Sequence, residues 1–96
     1  MWNGAVVAES DDVVRVEGYD YFPANALRWD YMQKTSTRSL CPWKGIASYY
    51  DVAVDGVVNP RSAWSYARPL PFARRIKGRV AFWRGIEIVP LGGRDS

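Results

Sequence analysis

The sequence predicts a mainly β protein, folded as a single compact domain of antiparallel sheets with one or two short helices. Short apolar runs are separated by turn dipeptides such as Asn3-Gly4 and Asp55-Gly56, the pattern of hairpins. A length of 96 residues fits one domain. Five Trp and six Tyr supply the large buried areas that so small a core needs.

The first third of the chain predicts strands. Ala5–Ala8 and Val13–Glu17 flank the polar break Glu9–Asp12, and we expect the two runs to pair as a hairpin. Tyr19–Phe22 is a further short strand, and Pro23 ends it because proline cannot donate to a sheet ladder.

The middle of the chain predicts the best-defined hairpin. Residues 24–35 fit either a strand or one helical turn, and Ser36–Leu40 is expected to be extended. Pro42 and Gly45 then bracket a tight turn or bulge. Ala47–Val54 is the strongest strand, and Asp55-Gly56 turns it back as a hairpin.

The last third predicts the helical pieces. Asn59-Pro60 ends the preceding hairpin and caps a short helix over Arg61–Tyr66. Phe72–Ile76 is expected to be helical, with its first and last residues four apart on one face. A final hairpin joins Arg79–Trp83 to Ile86–Val89, and residues 91–96 are a polar tail of the domain, which spans 1–96.

The composition excludes several classes of site. One cysteine rules out an internal disulfide and a zinc site built on cysteine pairs. The absence of histidine removes the commonest general base and every Ser-His or Cys-His dyad. The start of the chain lacks the pattern of a signal peptide, and no stretch approaches the roughly 20 apolar residues of a membrane span. We therefore expect a cytoplasmic protein without a membrane partner.

The charge is unevenly distributed along the chain. Residues 1–32 carry two arginines against six acids, a net charge of −4, whereas residues 33–96 carry eleven Lys and Arg against four acids, a net charge of +7. The basic part could attract an anionic ligand, but a solvated basic face is the explanation that we favour. No RNA-binding aromatic motif accompanies the basic residues, so we do not expect nucleic acid as a partner.

The segment from Ser36 to Asp51 carries the candidate site. It contains the only cysteine, Cys41, followed by Pro-Trp-Lys-Gly. A thiol with cations nearby or a desolvated lysine can act as a nucleophile, so Cys41 and Lys44 are the candidate catalytic residues. Each also has a structural alternative, since a buried Cys packs as a small hydrophobe and Lys44 can serve in an ion pair or a cation–π contact.

Cationic and amphipathic aromatic side chains around this turn predict a pocket for a small anionic molecule. Tyr49 and Tyr50 must point to opposite faces of their strand, and the sequence leaves open which of them faces a pocket. No metal or cofactor is expected, and an enzyme, a structural or interaction module and a homodimer all stay open as alternatives. The candidate ligand-binding residues are Arg38, Trp43, Lys44, Tyr50, Trp64 and Tyr66.

Several blocks in order along the chain carry a family resemblance: Gly4–Ser10, Tyr21–Pro23, Cys41–Gly45 with Ala47–Asp51, Trp64–Tyr66 and Ile76–Trp83. Together they resemble the family known as the domain of unknown function number 427, which is also labelled a nucleotidyltransferase. The resemblance implies a compact β-rich fold of the tent-like or Mss4-like kind.

Some relatives of that fold hold zinc through paired cysteines, which this chain lacks. Nucleotidyl transfer needs carboxylates that converge on Mg²⁺. The nearest pair, Asp51 and Asp55, would lie about 13 Å apart along a strand. We therefore do not expect that activity.

Overall fold

The computed structural model describes residues 2–42 and 44–88, apart from the side chain of Phe72. It confirms a compact, mainly β protein with two antiparallel sheets. In the smaller sheet β1 pairs with β2, and in the larger the order is β3-β4-β5-β6. The strands are β1 (Val14–Val16), β2 (Tyr19–Tyr21), β3 (Met32–Cys41), β4 (Gly45–Val54), β5 (Val57–Ser65) and β6 (Val80–Phe82). The helical segments described are 3-10 turns at Ala24–Ala26, Trp29–Tyr31 and Pro71–Ile76.

The first hairpin differs from the prediction. Val13–Glu17 does not pair with Ala5–Ala8; instead β1 pairs forward with β2. Glu17 and Gly18 join these strands with positive φ angles of 54° and 86°, as a two-residue turn of the type I′ class requires. The prediction was wrong because a two-residue turn closes a pairing at a lower entropic cost than the longer polar loop over residues 9–12.

The long strands of the larger sheet confirm the strand predictions for the middle of the chain. β3 includes Ser36–Leu40, and β4 includes Ala47–Val54. Asp55 and Gly56 connect β4 to β5 with φ angles of 52° and 78°, so the predicted two-residue hairpin is present. The last pair of the β3–β4 ladder is Cys41 with Gly45, so the three residues between them connect the two strands.

The helix predicted over Arg61–Tyr66 is wrong, because β5 continues through this region. Asp51 on β4 faces three residues of β5, 60–62, where a regular ladder has one. This bulge accommodates Pro60, which has no N–H for the ladder. Arg61 adopts a positive φ of 51°, and its backbone N–H donates to Asp51 Oδ1 at 2.8 Å. The proline therefore marks a bulge and not the start of a helix.

The C-terminal elements are partly as predicted. The helical stretch is present as a 3-10 segment, Pro71–Ile76, kinked at Ala73. Arg84 and Gly85 form the expected turn after β6, with φ angles of 57° and 87°. Residues 86–88 form no strand, so the predicted final hairpin is wrong in its second half, and Val89 lies outside the described residues. β6 pairs with β5 instead.

The twisted larger sheet packs a different cluster against each of its faces. We call the first the sealed core; its buried members are all apolar: Val7, Phe22, Leu27, Val52, Val54, Ala63, Val80, Phe82 and Ile86. We call the second the aromatic core; its buried members are Val16, Tyr21, Ala47, Trp64, Tyr66, Ala73, Ile76 and Ala81. None of the helical segments in the described part of the chain has the length and apolar character needed to cross a bilayer.

Candidate functional site

The turn between β3 and β4 presents Lys44 to the aromatic core. Gly45, the next residue, has a φ of 111°, a conformation that side-chain-bearing residues rarely adopt. A Cβ at this position would lie 3.4 Å from both Arg68 O and Leu70 N. The backbone N–H of Leu70 donates to the carbonyl of Lys44 at 2.9 Å. This hydrogen bond attaches the turn to the segment after β5 and so fixes the backbone position of Lys44.

Lys44 is a buried cation, with only 7% of its surface exposed. Its ammonium forms an ion pair with Glu17 from the β1–β2 turn and lies 5.5 Å from the centre of the Tyr66 ring. Burial lowers the pKa of Lys44, but the hydrogen bond to Glu17 and the nearby Tyr21 and Tyr66 hydroxyls outweigh it, so the pKa is raised overall. The side chain is consequently protonated at neutral pH.

Lys44 and five aromatic rings line an open cleft of about 130 Å³. Trp64 is the central ring of this group. Tyr19 and Trp83 meet it edge-on, with ring centres at 4.9 Å and 5.4 Å. The Nε1–H of Trp64 donates to the hydroxyl of Tyr21 at 3.2 Å, so its one polar atom has a partner inside the protein. The residues lining the cleft are Tyr19, Lys44, Tyr49, Trp64, Tyr66 and Trp83.

The cleft has a buried floor and an accessible rim. Trp64 and Tyr66 are 6% and 4% exposed and form the floor. Tyr19 is 37% exposed, and Tyr49 and Trp83 are half-buried, so their rings are the surfaces that a bound molecule would meet. Hydrogen bonds position two of the rim rings. The Nε1–H of Trp83 donates to Arg61 O at 2.6 Å, and the Tyr49 hydroxyl lies 3.0 Å from Ser39 Oγ.

The Tyr66 hydroxyl is also affected by this environment. Burial raises the pKa of Tyr66 to about 12, although the Lys44 ammonium acts in the opposite direction. The phenol is therefore neutral at physiological pH, and Lys44 is the charged residue among the six described residues that line the cleft. Its partner Glu17 is not one of these six.

The structure brings together three of the predicted ligand-binding residues, Lys44, Trp64 and Tyr66. Tyr50 lies on the other face of β4, 5.7 Å from Trp29 between ring centres, and Tyr49 is the member of the pair that lines the cleft.

Of the remaining two predicted ligand-binding residues, Arg38 does not line the cleft. Arg38 is exposed on β3 opposite Ser48, on the same sheet face as Tyr50. Trp43 lies outside the described residues.

Cys41 lies beside the cleft rather than in its lining. It is a half-buried free cysteine at the end of β3, packed against the aromatic core. No group of three or more Cys, Asp or Glu side chains in the described ranges is arranged to hold a metal ion. Asp51, the carboxylate considered for nucleotidyl transfer, accepts the backbone hydrogen bond of the β5 bulge.

The sequence analysis missed three residues of the candidate site, Glu17, Tyr19 and Trp83, and left the choice between Tyr49 and Tyr50 open. Glu17 and Tyr19 belong to a hairpin that was assigned the wrong partner. One signal could have found them: Glu17-Gly18 between two short aromatic and β-branched runs is a two-residue turn candidate. A charged residue at such a turn, followed by a tyrosine two positions on, is well placed for a cleft rim.

A family model described as a domain of unknown function (DUF427) matches residues 1–89. This match confirms the family resemblance drawn from the Cys41–Gly45 motif and its flanking blocks. No curated protein matches the chain.

Proposed function

This chain belongs to the family of the domain of unknown function DUF427, and we propose that it binds a small organic anion in the aromatic cleft. The observation that carries the proposal is Lys44, a protonated and nearly buried ammonium that lines a cleft walled by five aromatic rings. Lys44 would bind the negative group, and the rings would bind the apolar part of the molecule.

The energetics support an anion over a neutral ligand. A buried ammonium is stable only with a compensating negative charge, which Glu17 supplies in the free protein. An anionic ligand can supply the same charge and keep the ammonium paired. The raised pKa of Lys44 argues against its acting as a neutral amine nucleophile, so its chemistry favours binding over covalent catalysis.

The test is a thermal-shift and calorimetric screen of organic acids, sugar phosphates and nucleotides against the wild type and two variants. Lys44→Met removes the cleft cation, and Lys34→Met removes an exposed lysine of β3 as the matched control. A ligand at 100 times its dissociation constant adds about 2.7 kcal/mol of stability. The proposal requires a shift that Lys44→Met abolishes and Lys34→Met retains. Loss in both variants would indicate general charge attraction, and no shift with any anion would refute the proposal.

A second candidate function, a protein-interaction module, has its own support. Leu40 and Ile46 form a cross-strand pair near the end of the β3–β4 hairpin and are 73% and 57% exposed. Adjacent exposed apolar side chains on a long edge hairpin favour contact with another protein surface, including a second copy of this chain. Sedimentation of the wild type and Leu40→Ser would test it: a dimer lost in the variant supports this function, and a monomer at high concentration counts against a homodimer.

The enzyme alternative depends on Cys41. A thiolate nucleophile would be alkylated fast below neutral pH, whereas slow labelling is typical of a thiol that only packs. Cytoplasmic localisation stays part of the proposal, since a reduced cysteine fits that compartment.

A further inference from the structure

The proposed anion site is occupied from within the protein. The carboxylate on the Lys44 ammonium belongs to Glu17, at the turn between β1 and β2. The neighbouring Tyr19 of the same hairpin forms part of the cleft rim. One small hairpin therefore supplies both the present partner of the cation and one wall of the cleft.

The two partners of this ion pair are unequally buried. The Lys44 side chain is 8% exposed and the Glu17 side chain is 50% exposed. Water can hydrate the half-exposed Glu17 carboxylate outside the pair, whereas the buried Lys44 ammonium would lose a negative partner at a cost unless another anion replaced it. Lys44 also lines the cleft, so a second carboxylate bound in the cleft can take the place of Glu17 beside the ammonium.

The size and walls of the cleft limit the rest of the ligand. A cavity of about 150 Å³ lined by apolar side chains binds benzene, and this cleft has a volume of about 130 Å³. Its accessible surfaces are the rings of Tyr19, Tyr49 and Trp83. Aromatic walls favour an aromatic ring, which gains edge-to-face or offset-stacked contacts beyond the area it buries. The space between the rings is about the size of one aromatic ring, and the cleft is open to solvent beyond it.

We infer that the ligand class is a monocyclic aromatic carboxylate whose carboxylate displaces Glu17 from Lys44. The inference rests on the proposed function and specifies its ligand and its internal competitor. A monoanion restores the charge balance when Glu17 leaves, whereas a phosphate dianion would add a second negative charge beside the displaced glutamate.

The experiment is calorimetric titration with three probes: benzoate, acetate and benzyl alcohol. Acetate carries the charge without the ring, and benzyl alcohol carries the ring without the charge. Two variants are compared with the wild type. Glu17→Gln removes the internal competitor, and Asp20→Asn removes a carboxylate of the same hairpin that pairs with Arg15 outside the cleft.

We expect benzoate to bind at least about tenfold more tightly than either partial probe, a factor equivalent to 1.4 kcal/mol. Glu17→Gln should increase the benzoate affinity about fivefold, since the ligand then no longer competes for Lys44. Asp20→Asn should leave the affinity unchanged. In the wild type, saturation with benzoate should move the ¹³C carboxyl resonance of Glu17 to that of a solvated glutamate, a readout that does not depend on the variant folding.

Several results would overturn the inference. Equal affinity for acetate and benzoate would show that the aromatic ring contributes nothing, which refutes an aromatic ligand but leaves the proposed anion site at Lys44. Weaker benzoate binding in Glu17→Gln, or an unmoved Glu17 resonance at saturation, would show that Glu17 is not a competitor. If neither benzoate nor the anions of the wider screen bind, the proposed function fails together with this inference.

Discussion

The two cores of this protein lie on opposite faces of one sheet and differ in composition. The sealed core consists of aliphatic and phenylalanine side chains, including a Phe22–Phe82 pair with ring centres 5.8 Å apart. The aromatic core has tyrosine and tryptophan in their place, adjoins the buried Lys44, and has an open cleft on its surface. Every polar group in the aromatic core needs a partner, and each pairing constrains how tightly the region can pack.

The difference suggests a division of roles within a 96-residue chain, which follows from the proposed function. A chain of this length has roughly 5–14 kcal/mol of net stability to lose. Apolar packing on one face can supply stability without specific geometry, which leaves the other face to hold a cation and polar rings in fixed positions. We therefore expect changes in the sealed core to alter stability and changes in the aromatic core to alter binding.

The largest expected effect is in the sealed core. Phe82→Ala removes a ring that is 5% exposed and should lower the free energy of unfolding by about 3–5 kcal/mol. Urea unfolding measures the loss. Val58→Ala, at a side chain that is 49% exposed, is the control and should stay within about 0.5 kcal/mol of the wild type. A loss below about 1 kcal/mol for Phe82→Ala would contradict the assignment of stability to this core.

The second effect is a loss of stability at alkaline pH that originates in the aromatic core. The pKa of Tyr66 is about 12 in the folded protein and about 10 in the unfolded chain, so the folded state holds this proton more tightly. The contribution of Tyr66 to the free energy of unfolding is therefore fully present below about pH 10. It decreases by on the order of 2 kcal/mol as the pH rises to about 12. The raised pKa of Lys44 acts in the same direction, with its contribution lost above the usual value of 10.5.

Unfolding measured between pH 9 and pH 12 tests this prediction. Tyr66→Phe should remove much of the loss of unfolding free energy at alkaline pH, because phenylalanine has no proton to release. Tyr50→Phe, on the other face of β4, should leave the loss in place. An equal effect of the two variants would contradict the origin assigned to Tyr66.

The third and smallest effect concerns the turn that positions Lys44. Gly45→Ala should cost about 1–2 kcal/mol from the strain of a φ of 111°, because the backbone of Arg68 and Leu70, 3.4 Å from the added Cβ, leaves the turn little room to relax. Gly56→Ala, in the β4–β5 turn, has a φ of 78° but no atom within 4 Å of the added Cβ. Thermal unfolding should therefore show a greater loss for Gly45→Ala. The opposite order would mean that the packing against residues 68–70 does not matter.

The strands in the middle of the chain and two of the turns could be predicted from the sequence, because local turn chemistry decides them, whereas the Glu17-Gly18 hairpin turn was missed. Asp55-Gly56 and Arg84-Gly85 adopt positive φ angles that few other dipeptides tolerate. Pro60 could not be assigned correctly, because its missing N–H is equally compatible with a helix start and a strand bulge. What decides between them is Asp51, ten residues earlier, which accepts the Arg61 N–H.

Three of the six described residues that line the cleft were predicted from the sequence. Lys44, Trp64 and Tyr66 were expected and do meet at the cleft. The alternation of a strand places Tyr49 and Tyr50 on opposite faces, but the face that borders the cleft depends on the packing of β1–β2, which is a long-range feature. For the same reason Glu17, 27 residues before Lys44, could not be found from spacing.

The most direct test of the division between a binding region and a sealed region is a benzoate titration followed by the tryptophan indole N–H signals in two-dimensional NMR. Trp64 and Trp83 line the cleft, whereas Trp29 lies on the other face, with its indole N–H donating to Ala24 O. We predict saturable shifts at Trp64 and Trp83 with one dissociation constant and no shift at Trp29. Unmoved cleft signals, or an equal shift at Trp29, would contradict a ligand site in the aromatic core.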